Sequence, residues 1–160
     1  MSAKRPKLLD RAAALVKGRG LARLLNLYPP YLGAGVRVRE IDSHTFDVSM
    51  RLRPWNQNYF GTHFGGSLYS MCDPFFALIL ARELGPGYVV WDKAAAIRFV
   101  RPGKGRVHAR FSIPRERVRE IRAKVDGGRK DEPTFSAQIL DEAGEVVAEV
   151  DKHLYVRKAR

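Results

Sequence analysis

Gly-Gly-Ser-Leu-Tyr-Ser-Met-Cys-Asp-Pro-Phe-Phe-Ala-Leu-Ile-Leu-Ala-Arg-Glu-Leu, residues 65–84, is apolar on almost every side. Leu68, Met71, Phe75, Phe76, Leu78, Ile79 and Leu80 leave no wet stripe, and Asp73 is the only charge before Arg82. A surface helix keeps one polar face, so this pattern predicts a central helix enclosed by the core. Gly85-Pro86-Gly87 then stops it.

On both sides of this segment the period is two. Val36 and Val38 alternate with Arg37 and Arg39, and Phe46, Val48, Met50 and Leu52 alternate with polar residues across an Asp42-Ser43-His44 turn. That is an antiparallel hairpin with one buried face. Downstream, strands are predicted over 88–100, 107–113, 135–139 and from 146 on to Val156. Residues 54–64 read as a loop and 114–125, opened by Pro114, as an exposed helix. About six antiparallel strands around one apolar helix make an α+β domain. A helix-on-one-face sandwich is the less specific alternative.

The chain has 160 residues, 45% of them hydrophobic, which suits one domain with a real core. A single Cys excludes a disulfide framework. The apolar runs are too short to span a membrane. The net charge of +12 invites a nucleic-acid reading, but it is mostly terminal. Residues 1–23 hold seven basic side chains against Asp10, and residues 151–160 hold four against Asp151. Solvated basic tails or phosphate contacts both fit. Leu8, Leu9, Ala12, Leu15 and Val16 recur at helical spacing, so residues 1–27 read as a basic helical extension and 28–160 as the domain. No secretory apolar core is present near the start, and a cytoplasmic protein is expected.

Phosphate loops, dinucleotide fingerprints, zinc-binding helices and nucleophile elbows are all missing from the sequence. The four histidines (His44, His63, His108, His153) have no ligand spacing, so no metal site is expected. Cys72 reads as a small core residue, with a nucleophile as the alternative. The informative stretch runs from Asn58 to Asp73. Gly65 and Gly66 at a helix start permit close approach and leave amides free for an oxyanion or carbonyl. Asp73, a lone acid in an apolar segment, is either a base or nucleophile or, with Pro74 behind it, an N-cap. Gly65-Gly66 could simply be a tight turn, and His63 is either a loop residue held by a backbone carbonyl or a catalytic base.

Asn58, then Gly65-Gly66 seven residues on, then Asp73 seven beyond Gly66, resembles the signature of hotdog-fold acyl-CoA thioesterases of the phenylacetate-degradation type. Ile97-Arg-Phe-Val-Arg-Pro102-Gly-Lys-Gly105 resembles the strand and turn after their central helix. Tyr28–Gly35, Trp55–Gly66 and Val90–Ala96 look like an uncharacterised branch of that fold, domain of unknown function 4442. The resemblance covers about residues 27–158. It implies a hotdog fold, hydrolysis of a coenzyme A thioester, and no tightly bound cofactor beyond the coenzyme A of the substrate. It implies a carbonyl held by the amides of Gly65, Gly66 or Ser67, attack or water activation by Asp73, and positioning by Asn58. Arg98, Arg101 and Lys104 would meet coenzyme A phosphates, and a homodimer or dimer of dimers would complete the site. Where those thioesterases have His directly before the glycine pair, this chain has Phe64, with His63 displaced by one. A non-catalytic acyl-CoA or lipid sensor is the alternative function. Nucleic-acid binding through the tails is the weaker third, since no basic motif interleaved with aromatics accompanies them.

Overall fold

The computed structural model describes residues 20–159. Six antiparallel strands form one sheet: β1 (Val36–Asp42), β2 (Thr45–Arg51), β3 (Tyr88–Phe99), β4 (Arg106–Ser112), β5 (Thr134–Asp141) and β6 (Val146–Lys158), in the order β1-β2-β4-β5-β6-β3. The alternation seen in the sequence decides which face is dry. Val107, Ala109 and Phe111 of β4 and Phe46, Val48 and Met50 of β2 are all buried, while their neighbours in the chain point to solvent.

The apolar segment packs against that dry face as two helices rather than one, α3 (Gly65–Ser70) and α4 (Phe75–Leu84). Pro74 is the reason. It has no N–H to donate, and its ring would meet the carbonyl four residues back, that of Ser70. The chain turns through Met71–Pro74, with Cys72 N–H donating to the Tyr69 carbonyl at 2.9 Å. Pro74 itself stands at the N-cap of α4 and no side chain caps the helix, so Asp73 is not the structural cap its sequence position allowed. Phe75 of α4 stacks on Phe111 at 4.9 Å and tilts against Phe46 at 5.4 Å between centroids. Exposing any of these rings would cost the apolar burial that holds helix to sheet.

Two short helices precede the sheet, α1 (Leu21–Leu27) and α2 (Pro29–Ala34). The Pro-Pro pair that reads as a turn instead opens α2, with prolines in its first turn where no N–H is needed. Gly35, at φ 75°, ends it in the left-handed conformation. α1 lies along the free edge of β1, and Asn26 bonds both the N–H and the carbonyl of Val38 at 2.9 Å. That side-chain amide takes the place of a neighbouring strand at an otherwise open edge. The helix expected over Leu8–Val16 lies outside the described residues. The exposed helix expected after Pro114 is α5 (Arg115–Asp126), which buries Val118, Ile121 and Val125 at helical spacing. Among the described residues no helix is long and apolar enough to cross a membrane.

Surface ion pairs tie the β3 edge to the segment before β5. Glu132 accepts from Lys93 at 2.7 Å and Lys130 at 2.9 Å, and these two partners bring its carboxyl down to about 2. A carboxyl lowered in the fold stabilises above its ordinary value and loses that contribution as pH falls towards the folded value. Stability should therefore decline as pH drops from about 4.5 to about 2. In Glu132→Gln part of that decline should vanish, read as a flatter profile of unfolding midpoint against pH.

Candidate active site

Asp73 sits in the break between α3 and α4, its N–H donating to the Ser70 carbonyl at 3.3 Å. Its Oδ1 accepts from the Tyr69 hydroxyl at 3.0 Å and from Lys152 Nζ at 2.9 Å, while Oδ2 has no partner among the described residues. The carboxylate is half exposed, whereas the lysine has no exposed surface at all. Lys152 also meets Asp92 Oδ2 at 3.0 Å, and its ammonium stands 5.2 Å from the Tyr69 ring centroid. Burial works against the lysine charge, but Asp73, Asp92 and Tyr69 outweigh it and hold Lys152 above the ordinary value. Burial pushes the Asp92 carboxyl up, against the pull of Lys152. Asp92 Oδ1 is buried without a partner. Two carboxylates thus share one buried cation.

Lys152 carries no motif, and Asp92, inside the Val90–Ala96 stretch, has no site role read from the sequence, yet a signal for the lysine is present. Along β6, Val150, Lys152, Leu154 and Val156 share one parity and are all buried, so strict alternation places the lysine on the dry face. A buried lysine demands carboxylates, and Asp73 is the lone acid of the apolar segment. Cys72, beside Asp73, is fully buried, and desolvation pushes its thiol up to about 12. It stays protonated, which fits the core reading over the nucleophile.

The glycine pair faces a different space. Gly65 lines a cleft of about 440 Å³ together with Asn58, His63, Leu68, Phe99 and Arg101. The N–H groups of Gly65 and Gly66 donate to no acceptor among the described residues, but that of Ser67 is taken by the Phe64 carbonyl at 2.9 Å. Two amides remain for a carbonyl oxygen. Both glycines also sit close under aromatic rings. A Cβ on Gly65 would lie 2.9 Å from the Phe99 ring, and one on Gly66 2.5 Å from the Phe64 ring. Both rings are about half exposed, so they flank the helix start and give the cleft an apolar rim.

Asn58 organises the cleft wall rather than reaching into it. Its Oδ1 accepts from the N–H groups of Phe60 and Thr62, and its Nδ2 donates to Thr62 Oγ1 at 2.9 Å. His63 is almost fully buried, with Nε2 3.1 Å from the Gly105 carbonyl. Its backbone N–H donates to Gly103, which pins the 103–105 turn to the loop. Desolvation lowers the His63 ring below the ordinary value, so it is neutral, and Nδ1 has no partner. Asn56 was not singled out by sequence. It is buried and joins α2, β2 and the loop through Ala34, Arg51 and Arg53.

Of the three basic residues read as phosphate contacts, Arg98 pairs with Glu149 and Arg101 with Asp141 at 2.6 Å. Lys104 is exposed and has no ion pair among the described residues. No group of three or more His, Cys, Asp or Glu among the described residues could hold a metal ion.

The sequence family described as Domain of unknown function (DUF4442) matches residues 19–156. No curated protein matches the chain. Among solved structures, a Pseudomonas aeruginosa protein described as a probable thioesterase superposes with a TM-score of 0.74 at 22% identity, covering 97% of each chain. A Chlorobaculum tepidum protein of unknown function gives 0.69 at 16% identity, over 94% of this chain and 96% of that one. A Haemophilus influenzae thioesterase gives 0.64 at 16%, over 87% and 89%. At these identities the likeness establishes the fold, which is the hotdog fold.

Proposed function

The chain belongs to the DUF4442 family, and from that premise we propose that it hydrolyses a coenzyme A thioester. The observation that carries the reading is the pair of unoccupied amides, Gly65 and Gly66, at the start of a helix beside an apolar cleft. Such amides stabilise the oxyanion that develops on a thioester carbonyl, each worth about 3 kcal/mol where water is excluded. The free Oδ2 of Asp73 would take a proton from the attacking water. The water oxygen bonds to the carbonyl carbon, and collapse of the tetrahedral species breaks the C–S bond. The thiolate leaves without a strong acid, because a thiol pKa is about 8.5. Asn58 and His63 act on this chemistry by holding the loop and the 103–105 turn.

Asp73 does not line the cleft that Gly65 lines, so in this reading one carbonyl does not reach both in a single chain. A second copy supplies the missing half in this reading. β3 supports it, being a sheet edge with Ala94, Ala95 and Ala96 exposed, the kind of unpaired edge on which another strand adds. The active unit is then a homodimer or a dimer of dimers.

The ion pair between Lys152 and Asp73 favours a second reading, a non-catalytic acyl-CoA sensor, because a paired carboxylate is a weaker base. Thiol release from a panel of acyl-CoAs by the full-length protein separates the two. Turnover of at least one chain length is expected. Saturable acyl-CoA binding without thiol release would establish the sensor, and neither binding nor release would sink both.

A further inference from the structure

The solvent face of β1, β2 and β4 is strongly basic, and its two ends differ. At one end Asp47 lies between Arg39 and Arg110 across the strands, bonding them at 2.8 Å and 2.7 Å. At the other, Arg51 stands directly opposite Arg106, and neither makes an ion pair among the described residues, although Glu142 lies beside the neighbouring Gly105. Like charges in facing positions destabilise a sheet, so nothing in the fold itself accounts for that pair. Arg37, Arg51, Arg53 and Arg106 make no ion pair among the described residues. All four line a groove of about 610 Å³ that no carboxylate enters, and Trp55, 68% exposed, forms its rim.

We propose that this groove binds a phosphorylated nucleotide. Guanidinium forks match phosphate oxygens two at a time, and four of them converge here with their charge uncompensated. An exposed indole offers a face on which a base stacks, and the volume is that of a small-molecule site. A membrane surface fits less well, because the basic residues line a concavity that has one aromatic at its edge. The nucleotide could be free or could be the nucleotide half of coenzyme A. The inference stands whether or not the chain hydrolyses thioesters.

The test uses the full chain carrying Trp91→Phe, which leaves Trp55 as the sole indole because the protein has two Trp. Adenosine 3′,5′-bisphosphate is the probe, and pyrophosphate, adenosine, coenzyme A and anionic phosphatidylglycerol vesicles are the comparisons. Saturable quenching of Trp55 by the bisphosphate is expected, weakening with salt. Arg51→Gln and Arg106→Gln should each weaken it about tenfold or more, while Arg39→Gln, already neutralised by Asp47, should leave it unchanged. These side chains are exposed, and an undiminished thermal midpoint confirms that the variants fold. Competition by coenzyme A, with the same loss in Arg106→Gln, would name it as the source. Its failure to compete would assign the site to free nucleotides. Absence of saturable quenching, equal affinity for pyrophosphate, or binding to vesicles alone would overturn the proposal.

Discussion

Lys152→Met should lower the unfolding free energy by about 3 kcal/mol, measured by urea denaturation at fixed protein concentration. Removing one member of a buried ion cluster typically costs about 3–5 kcal/mol, because the partners left behind are desolvated and uncompensated. The lower end applies because Asp73 is half exposed and can rehydrate, while Asp92 is more enclosed, with Oδ1 buried, and rehydrates less. Burial already pushes the Asp92 carboxyl up with the lysine present, so without it Asp92 would take up a proton more readily still. Combining Lys152→Met with Asp92→Leu should recover most of the loss, since apolar replacements of a whole buried pair are often neutral. A single-variant cost below about 1 kcal/mol, typical of an exposed pair, would show that the cluster is not a stabilising element.

Asp73→Asn should reduce kcat for acyl-CoA hydrolysis by about 10²–10⁴-fold with little change in KM, the range for loss of a general base. The substitution keeps an oxygen for Tyr69 and Lys152 to donate to, so the fold should survive with a small shift in unfolding midpoint. That separates chemistry from stability in a way Lys152→Met does not. Turnover that persists unchanged in Asp73→Asn would remove this residue from the mechanism and move attention to the cleft around Gly65.

The two variants probe the same atoms because of Pro74. By breaking the apolar segment it turns Asp73 out of the helix, leaving one oxygen towards Lys152 and the other free. An uninterrupted helix would have carried the carboxylate on a fixed face of the core. The proline that makes the sequence look irregular at this point therefore sets the exposure of the acid.

Much of the fold was legible without coordinates. Alternation along β2, β4 and β6 named the buried faces correctly, and the all-round apolar character of residues 65–84 placed them in the centre of the sheet. The Pro29-Pro30 pair reads as a turn in the sequence yet opens a helix, because proline suits both a turn and the first turn of a helix. The candidate site was less legible. Asn58, His63, Gly65 and Arg101 do line one cleft, but Asp73 is absent from it, and the partners of Arg98 and Arg101 were invisible in the linear order. Charge shows the same division between what is local and what is not. Most of the excess lies at the termini, yet four arginines of the body, Arg37, Arg51, Arg53 and Arg106, gather at one groove, where β pairing sets Arg51 against Arg106.

Periodicity and backbone chemistry are local, so hydrophobic spacing, glycine and proline were enough to place the strands and the apolar helical segment. Contacts between residues far apart in the chain are not local. Lys152 lies 79 positions from Asp73, and only the antiparallel register of β3 on β6, with the helices packed across it, brings one buried ammonium to two carboxylates.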